Sequence, residues 1–348
     1  MTHSGGHITD DPPTVAALGE FGLIAALSRW LPPDSRTLVG IGDDAAVLAA
    51  PDGRVVASTD FLLEGRHFRR EWSSAADVGR KAAARSLIDV AAMGAVPTGL
   101  LVALAAPPGL PVDWARGLAE GLAAECARAG ASVVGGDTSR AESIVLVTTV
   151  LGDLAGRAPV LRSGAAPGNL VAVTGRLGHA AAGLALLEAG HTGNPLTAAQ
   201  RHPEPPYDAG PQAADLGATA MIDISDGLLA DLGHVASASG VRIDLSSARL
   251  APGDDLLAAA LHLDRTDSGS TLRPTDPLAW VLAGGEDHAL AATFRPGTAL
   301  PPRWTVLGEV LQGQGVLVDG QPWTGSAGWD HFSAGSGEGR PPHPPKGR

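Results

Sequence analysis

Met221-Ile222-Asp223-Ile224-Ser225-Asp226-Gly227-Leu228 joins a short β run to a helix through a glycine. Residues 220–224 read as a strand and 228–239 as the helix, whose Leu228, Leu232 and Val235 fall at helical spacing. Strand alternation places Asp223 and Ser225 on one face, and Ser225 or Asp226 can cap the helix. Capping accounts for one of these polar residues but not for all three. A strand follows at 241–245, and strand and helix signals alternate through most of the chain. Upstream, 37–40 and 54–58 read as strands around a Pro51-Asp52-Gly53 turn, 77–93 and 115–129 as helices, and 132–134 and 143–151 as β runs. The pattern restarts with a strand at 170–174 and a helix at 178–189; 278–283 and 288–294 then flank a glycine turn, and 304–310 is a late strand. This predicts an α/β (α+β) chain of two domains with a break near 153–167. The boundaries are 15–153 and 154–332, between a polar start (1–14) and a Gly/Pro-rich tail (333–348), both expected to be disordered.

The 348 residues carry 25 Lys+Arg against 37 Asp+Glu, a net charge of −12. That balance argues against a nucleic-acid binder and against attachment to anionic lipid. One cysteine, Cys126, excludes an internal disulfide and a cysteine-based zinc site. No secretory signal and no run of about 18 apolar residues is visible, so a cytoplasmic protein is expected.

The acidic residues gather beside glycine and small polar residues. Besides 221–228 there are Gly40-Ile41-Gly42-Asp43-Asp44, Ser58-Thr59-Asp60, Asp89 in an apolar helix end, Gly135-Gly136-Asp137-Thr138 and Gly284-Gly285-Glu286-Asp287. Each has an ordinary reading as a turn, cap or solvated face. Lys81, Arg85 and Asp89, spaced i, i+4, i+8, read slightly better as a solvated stripe with an Arg–Asp pair. Ser58-Thr59-Asp60 ends a strand that should pair with the strand at 37–40 and return Asp60 toward Asp43 and Asp44. The 284–287 cluster reads like 133–137: a β run, two glycines, then acid. Together the six places suggest several magnesium ions handling phosphate, since Mg²⁺ prefers carboxylate oxygen. No Walker A, dinucleotide, HExxH or GxSxG pattern is present, and Lys81 and Lys346 are the only lysines. Phosphate charge would then fall to metals and arginine, with Arg162 and Arg140 as candidates.

The ordered motifs carry a resemblance. GIGDDAAVL (40–48), STDFLLEGRHF (58–68), KAAARSLIDVAAMGAVP (81–97), VVGGDTSR (133–140), RSGAAPGNLVAVTG (162–175), MIDISDGLLADLGH (221–234), GGED (284–287) and the Gly328-Trp329-Asp330-His331-Phe332 end resemble the thiamine-monophosphate kinase family, of the aminoimidazole-ribonucleotide synthetase (PurM-like) superfamily. The resemblance implies an N-terminal domain lending strands to a barrel shared across a homodimer, with a C-terminal α/β domain against it. It implies ATP and thiamine monophosphate as substrates and Mg²⁺ as cofactor. On matching positions, Asp43, Asp44, Ser58, Thr59, Asp60, Asp89, Asp137, Asp223 and Asp226 would be metal ligands. Gly136, Asp137, Arg162 and Ser225 would contact ATP, and His67, Glu286 and Trp329 the thiamine phosphate. Phosphoryl transfer would be direct and in line, with no general base. His288 and Ala289 stand where the family has Tyr then Glu, Tyr207 stands where it has Arg, and no aromatic residue to lie under adenine is found in 115–129. The runner-up readings are another ATP-dependent superfamily enzyme or a non-catalytic nucleotide-binding scaffold.

Overall fold

The computed structural model describes residues 14–41, 45–266 and 275–328. The chain opens with helix α1 (Val15–Leu27), the short antiparallel strands β1 (Thr37–Val39) and β2 (Val47–Leu48), strand β3 (Val56–Leu63) and helix α2 (Ala75–Ala92). Strand β4 (Val96–Ala106), helix α3 (Val112–Ala129), β5 (Ser132–Arg140) and β6 (Val145–Asp153) follow. They build a sheet of order β3-β6-β4-β5, in which only β4 and β5 are parallel, as the crossover through α3 requires.

No helix or strand lies between β6 and β7 (Leu170–Thr174). Then come α4 (His179–Glu188), α5 (Thr197–Arg201), α6 (Ala209–Asp215), β8 (Ala220–Ile224), α7 (Leu228–Ser239), β9 (Arg242–Leu245), α8 (Asp254–Thr266), α9 (Pro277–Ala283), β10 (Ala289–Phe294), β11 (Thr305–Leu311) and β12 (Gly315–Val318). The second sheet runs β12-β9-β11-β7-β10-β8 and is antiparallel except for β12 beside β9. The result is the expected mixed α/β architecture.

Strand alternation splits β10 between two cores. Leu290, Ala292 and Phe294 join the cluster built on α2 and the first sheet, whereas Ala289 and Ala291 join the one under α7 and α9. Helix α2 is therefore enclosed by both halves of the chain, with Leu87 and Ile88 fully buried. A capping box starts it: the Asp77 N–H donates to Ser74 Oγ (3.2 Å) and the Ser74 N–H to Asp77 Oδ2 (3.0 Å). Helices α2 and α3 meet backbone to backbone. A Cβ at Gly79 would lie 2.2 Å from the Leu118 carbonyl oxygen, and one at Gly121 2.1 Å from that of Ala76. Gly79→Ala should therefore cost about 1–3 kcal/mol or more through overpacking. Urea denaturation measures this; an unchanged midpoint would show that the two helices separate freely.

Several sequence expectations change. Strand β3 continues to Leu63, so Ser58-Thr59-Asp60 lies inside it, and it pairs with β6 rather than with the strand at 37–40. Gly135-Gly136-Asp137 is no turn: β5 runs through it, because β4 supplies the ladder on its far side. The run before Gly284-Gly285 is helical, started by Asp276, whose side chain accepts the Leu278 N–H (2.9 Å), with Pro277 in the first turn. Neither Ser225 nor Asp226 caps α7, whose N-cap is Gly227 without a side-chain bond. Of the expected ends 1–14 and 333–348, all but Thr14 lie outside the described residues.

Candidate active site

The inner side of α2 faces a junction of both sheets. From β3, Ser58 and Asp60 point toward it: Ser58 Oγ donates to Asp89 Oδ2 (2.6 Å) and Ser86 Oγ to Asp60 Oδ2 (3.0 Å). Thr59 faces the other way, donating to the Thr148 carbonyl (3.1 Å). From the second sheet, Asp223 arrives near the end of β8 and is 6% exposed. Burial, then the Asp223 and Asp60 carboxylates, push the Asp89 carboxyl up to about 8. Three acidic chains from β3, α2 and β8 thus act on one another across the junction of the two halves.

Beyond β8 the backbone turns around a carboxylate that sequence reading missed. Asp231 Oδ2 accepts the N–H groups of Ser225 (3.0 Å), Asp226 (3.0 Å) and Gly227 (3.1 Å). It holds the loop that carries two candidate ligands. In sequence it reads only as an acid in the first turn of α7, a common position beside a helix N-terminus.

The Lys81–Arg85–Asp89 stripe is not solvated. Lys81 is 1% exposed, and its Nζ donates to Glu286 Oε2 (2.7 Å) and to the carbonyls of His67 (2.9 Å) and Gln200 (3.0 Å). Arg85 Nη1 donates to Glu286 Oε1 (2.8 Å), and Gln200 Nε2 to Glu286 Oε2 (2.9 Å). Burial alone would raise the Glu286 carboxyl; Lys81 and Arg85 outweigh it and hold the group at about 2. Lys81 is lowered from its ordinary value by burial, against the pull of Glu286. The arginine of the stripe pairs with a carboxylate 201 residues away, not with Asp89.

Asp137 stands apart, exposed on β5, with Oδ1 accepting the Thr138 N–H (2.8 Å). With Gly136 it edges an apolar pocket walled by Ile24, Leu27, Val102, Leu118 and Ala119. A Cβ at Gly136 would lie 1.8 Å from the Val102 carbonyl oxygen, so that β5 position admits only glycine. Arg162 is exposed, and its carbonyl accepts from Ser239 Oγ (3.1 Å). His67 Nδ1 accepts the Leu63 N–H (2.9 Å), which leaves the proton of a neutral ring on Nε2. Asp43, Asp44 and Trp329 lie outside the described residues. Among the described residues, no three His, Cys, Asp or Glu side chains are gathered as a ready metal site.

Residues 42–154 match the family described as AIR synthase related protein, N-terminal domain. The thiamine-monophosphate kinase of Mycobacterium tuberculosis (strain ATCC 25618 / H37Rv) is 48% identical over 342 residues, 97% of this chain and 99% of that protein. This chain belongs to the thiamine-monophosphate kinase family. The solved complex of AaThiL with AMPPCP and TMP is 32% identical, with a TM-score of 0.73 over 90% of this chain and 97% of that one. The crystal structure of the thiamine-monophosphate kinase from Stenotrophomonas maltophilia K279a is 31% identical, also at 0.73, over 86% and 96% of the two chains.

Two departures from the family pattern have structural partners here. Tyr207 is buried, and its hydroxyl donates to Glu125 Oε1 (2.7 Å), a fully buried carboxylate on α3 that also receives Arg80 Nε (3.1 Å). His288 is 2% exposed, with Nδ1 3.3 Å from Asp223 Oδ2. Cys126 is a buried thiol pushed up by its burial, so it offers no thiolate for chemistry.

Proposed function

We propose that this chain phosphorylates thiamine monophosphate to thiamine diphosphate by direct in-line transfer from ATP. The observation that carries the reading is the meeting of Asp60, Asp89 and Asp223 from both halves of the chain, with Asp89 held far above its ordinary value of 3.8. Mutually repelling carboxylates at an oxygen-only site suit a hard divalent cation. Asp60, Asp89, Asp223 and Asp226, with Ser58, would hold Mg²⁺; Thr59 and Asp137 remain candidates, as do Asp43 and Asp44 from outside the described residues. Held by these residues, Mg²⁺ would supply charge neutralisation for two polyanionic substrates. Because Mg²⁺ is commonly held by one or two carboxylates plus substrate phosphates, a cluster completed by substrate fits this chemistry.

The apolar pocket beside Gly136 and Asp137, walled among the described residues by aliphatic side chains, suits a flat heterocycle and is proposed for adenine. Ser225 and Arg162 are proposed to contact the nucleotide and His67 and Trp329 the acceptor side; Glu286, which the resemblance puts there, has both oxygens engaged by Lys81, Arg85 and Gln200 and is not proposed as a contact. No residue is needed as a base, since a phosphomonoester with a second pKa of about 6 is largely dianionic near neutrality. The related AaThiL structure, which holds AMPPCP and TMP together, supports the pairing of substrates.

A homodimer is proposed on the outer face of the first sheet. Phe61, on the edge strand β3, is 57% exposed beside the outward-facing Ala57 and Thr59. The division at 153/154 is proposed to separate a nucleotide-and-metal half from a half that completes the cleft. No helix among the described residues is long and apolar enough to cross a membrane, and a cytoplasmic location is proposed.

Incubating purified protein with ATP, Mg²⁺ and thiamine monophosphate should yield thiamine diphosphate and ADP in equal amounts. A chelator should stop the reaction and added Mg²⁺ should restore it. Folded, ATP-binding protein that gives no thiamine diphosphate would favour a scaffold or a different acceptor.

A further inference from the structure

The turn Glu286-Asp287-His288 is anchored by three consecutive side chains to three different elements. Glu286 reaches Lys81 and Arg85 on α2. Asp287 Oδ1 accepts the Ala180 N–H in the first turn of α4 (2.9 Å). His288 Nδ1 meets Asp223 Oδ2 at 3.3 Å. The backbone is tied as tightly: the Glu286 N–H donates to the Ser225 carbonyl (2.8 Å) and the His288 N–H to that of Ile224 (3.0 Å). At Gly285 a Cβ would lie 2.4 Å from the Ser225 oxygen.

This turn is also strained. Glu286 (φ 67°) and His288 (φ 52°) both lie in the left-handed region that non-glycine residues avoid. Such strain persists only where the surroundings over-determine it, and it clusters at functional sites. Here the two strained residues send their side chains to the two elements that carry Asp89 and Asp223. Arg85 lies one helical turn before Asp89 on α2. The path Asp89–Arg85–Glu286–Ser225 therefore bolts the first half's acid to the loop behind Asp223. His288 Nδ1, 3.3 Å from Asp223 Oδ2, is close enough to hold the orientation of the Asp223 side chain.

We propose that Glu286 and His288 are positioning residues that set the spacing and orientation of Asp89 and Asp223 for divalent metal, Glu286 acting through α2 and His288 on Asp223 directly. The inference rests on the reading of these aspartates as metal ligands. It also gives His288 a task that belongs to this chain, in place of the Tyr of the family pattern.

Binding of Mn²⁺ to nucleotide-free protein, followed by electron paramagnetic resonance, tests it apart from turnover. The variants are Glu286→Gln, Arg85→Gln and His288→Asn, with thermal unfolding as a check on fold. Partners of metal ligands typically contribute 10–100-fold in affinity, so Mn²⁺ should bind at least about tenfold more weakly in each. The Mg²⁺ concentration for half-maximal rate should rise in step, while KM for thiamine monophosphate stays within about twofold. Arg85→Gln serves where Glu286→Gln fails to fold, since it leaves the Lys81 pair in place. Wild-type protein that binds no Mn²⁺, either alone or with a non-hydrolysable ATP analogue, would overturn the underlying metal reading. Wild-type protein that binds, with variants binding equally and only KM for thiamine monophosphate raised, would overturn the positioning role and return Glu286 to direct substrate contact.

Discussion

Asp89→Asn is expected to lose at least about a hundredfold in kcat/KM, several kcal/mol of transition-state stabilisation, while making the metal-free protein more stable. Both effects have one cause. The Asp89 carboxyl is pushed up to about 8 by burial and by Asp223 and Asp60. An acid raised in the folded state works against folding once it ionises. Its penalty is absent below the unfolded value of about 4, grows as pH rises and is complete above about 8. With chelator present, the native protein should lose stability on this account between pH 4 and 8. Asp89→Asn should flatten that slope, and Mg²⁺ should reverse it in the native protein only. Denaturation midpoints across this range, with and without metal, measure the effect beside the kinetics. A variant that keeps full Mg²⁺-dependent turnover would remove Asp89 from the metal site.

Lys81→Met is expected to destabilise the fold by about 3–5 kcal/mol, the usual cost of removing one partner from a buried ion pair. The ammonium has three acceptors and is 1% exposed, so no water replaces it easily. Arg85 remains near Glu286, but the carbonyls of His67 and Gln200 lose their donor. The acid limb should change too. Glu286 is held at about 2 against an ordinary 4.5, so its contribution is complete above 4.5 and is lost as pH falls toward 2. Without Lys81 the Glu286 carboxyl is held down less, so that limb should be shallower and end at higher pH. Urea denaturation at pH 7 and pH 3 tests this; a loss under about 1 kcal/mol at pH 7 would mean the cavity refills with water or another cation.

The elements with undiluted periodicity were legible. The strands Leu170–Thr174 and Ala220–Ile224 and the helix Leu228–Ser239 stand where alternation and helical spacing put them. Strand β4 was hidden because prolines end the apolar run it opens, and Gly135-Gly136 mimicked a turn because β4's carbonyl at Val102, remote in sequence, is what demands glycine. The candidate acids were legible as residues but not as a constellation. Helical spacing placed Lys81, Arg85 and Asp89 on one face, yet spacing does not say whether that face meets water or a carboxylate 205 residues away. His288 stood out only as a departure, and its contact with Asp223 depends on a left-handed backbone that no residue type there announces. Asp231 gave no signal beyond that of an ordinary helix-start acid.

The buried Lys81 has a use beyond stability. Among the described residues Lys81 is the single lysine, and it is buried. Reagents that acylate lysine reach Lys81 only when α2 parts from Glu286 and Gln200, since those contacts enclose it. Its rate of modification, read by mass spectrometry, is then an internal clock for the opening of this junction. If metal and substrates close the site, that clock should slow as each is added.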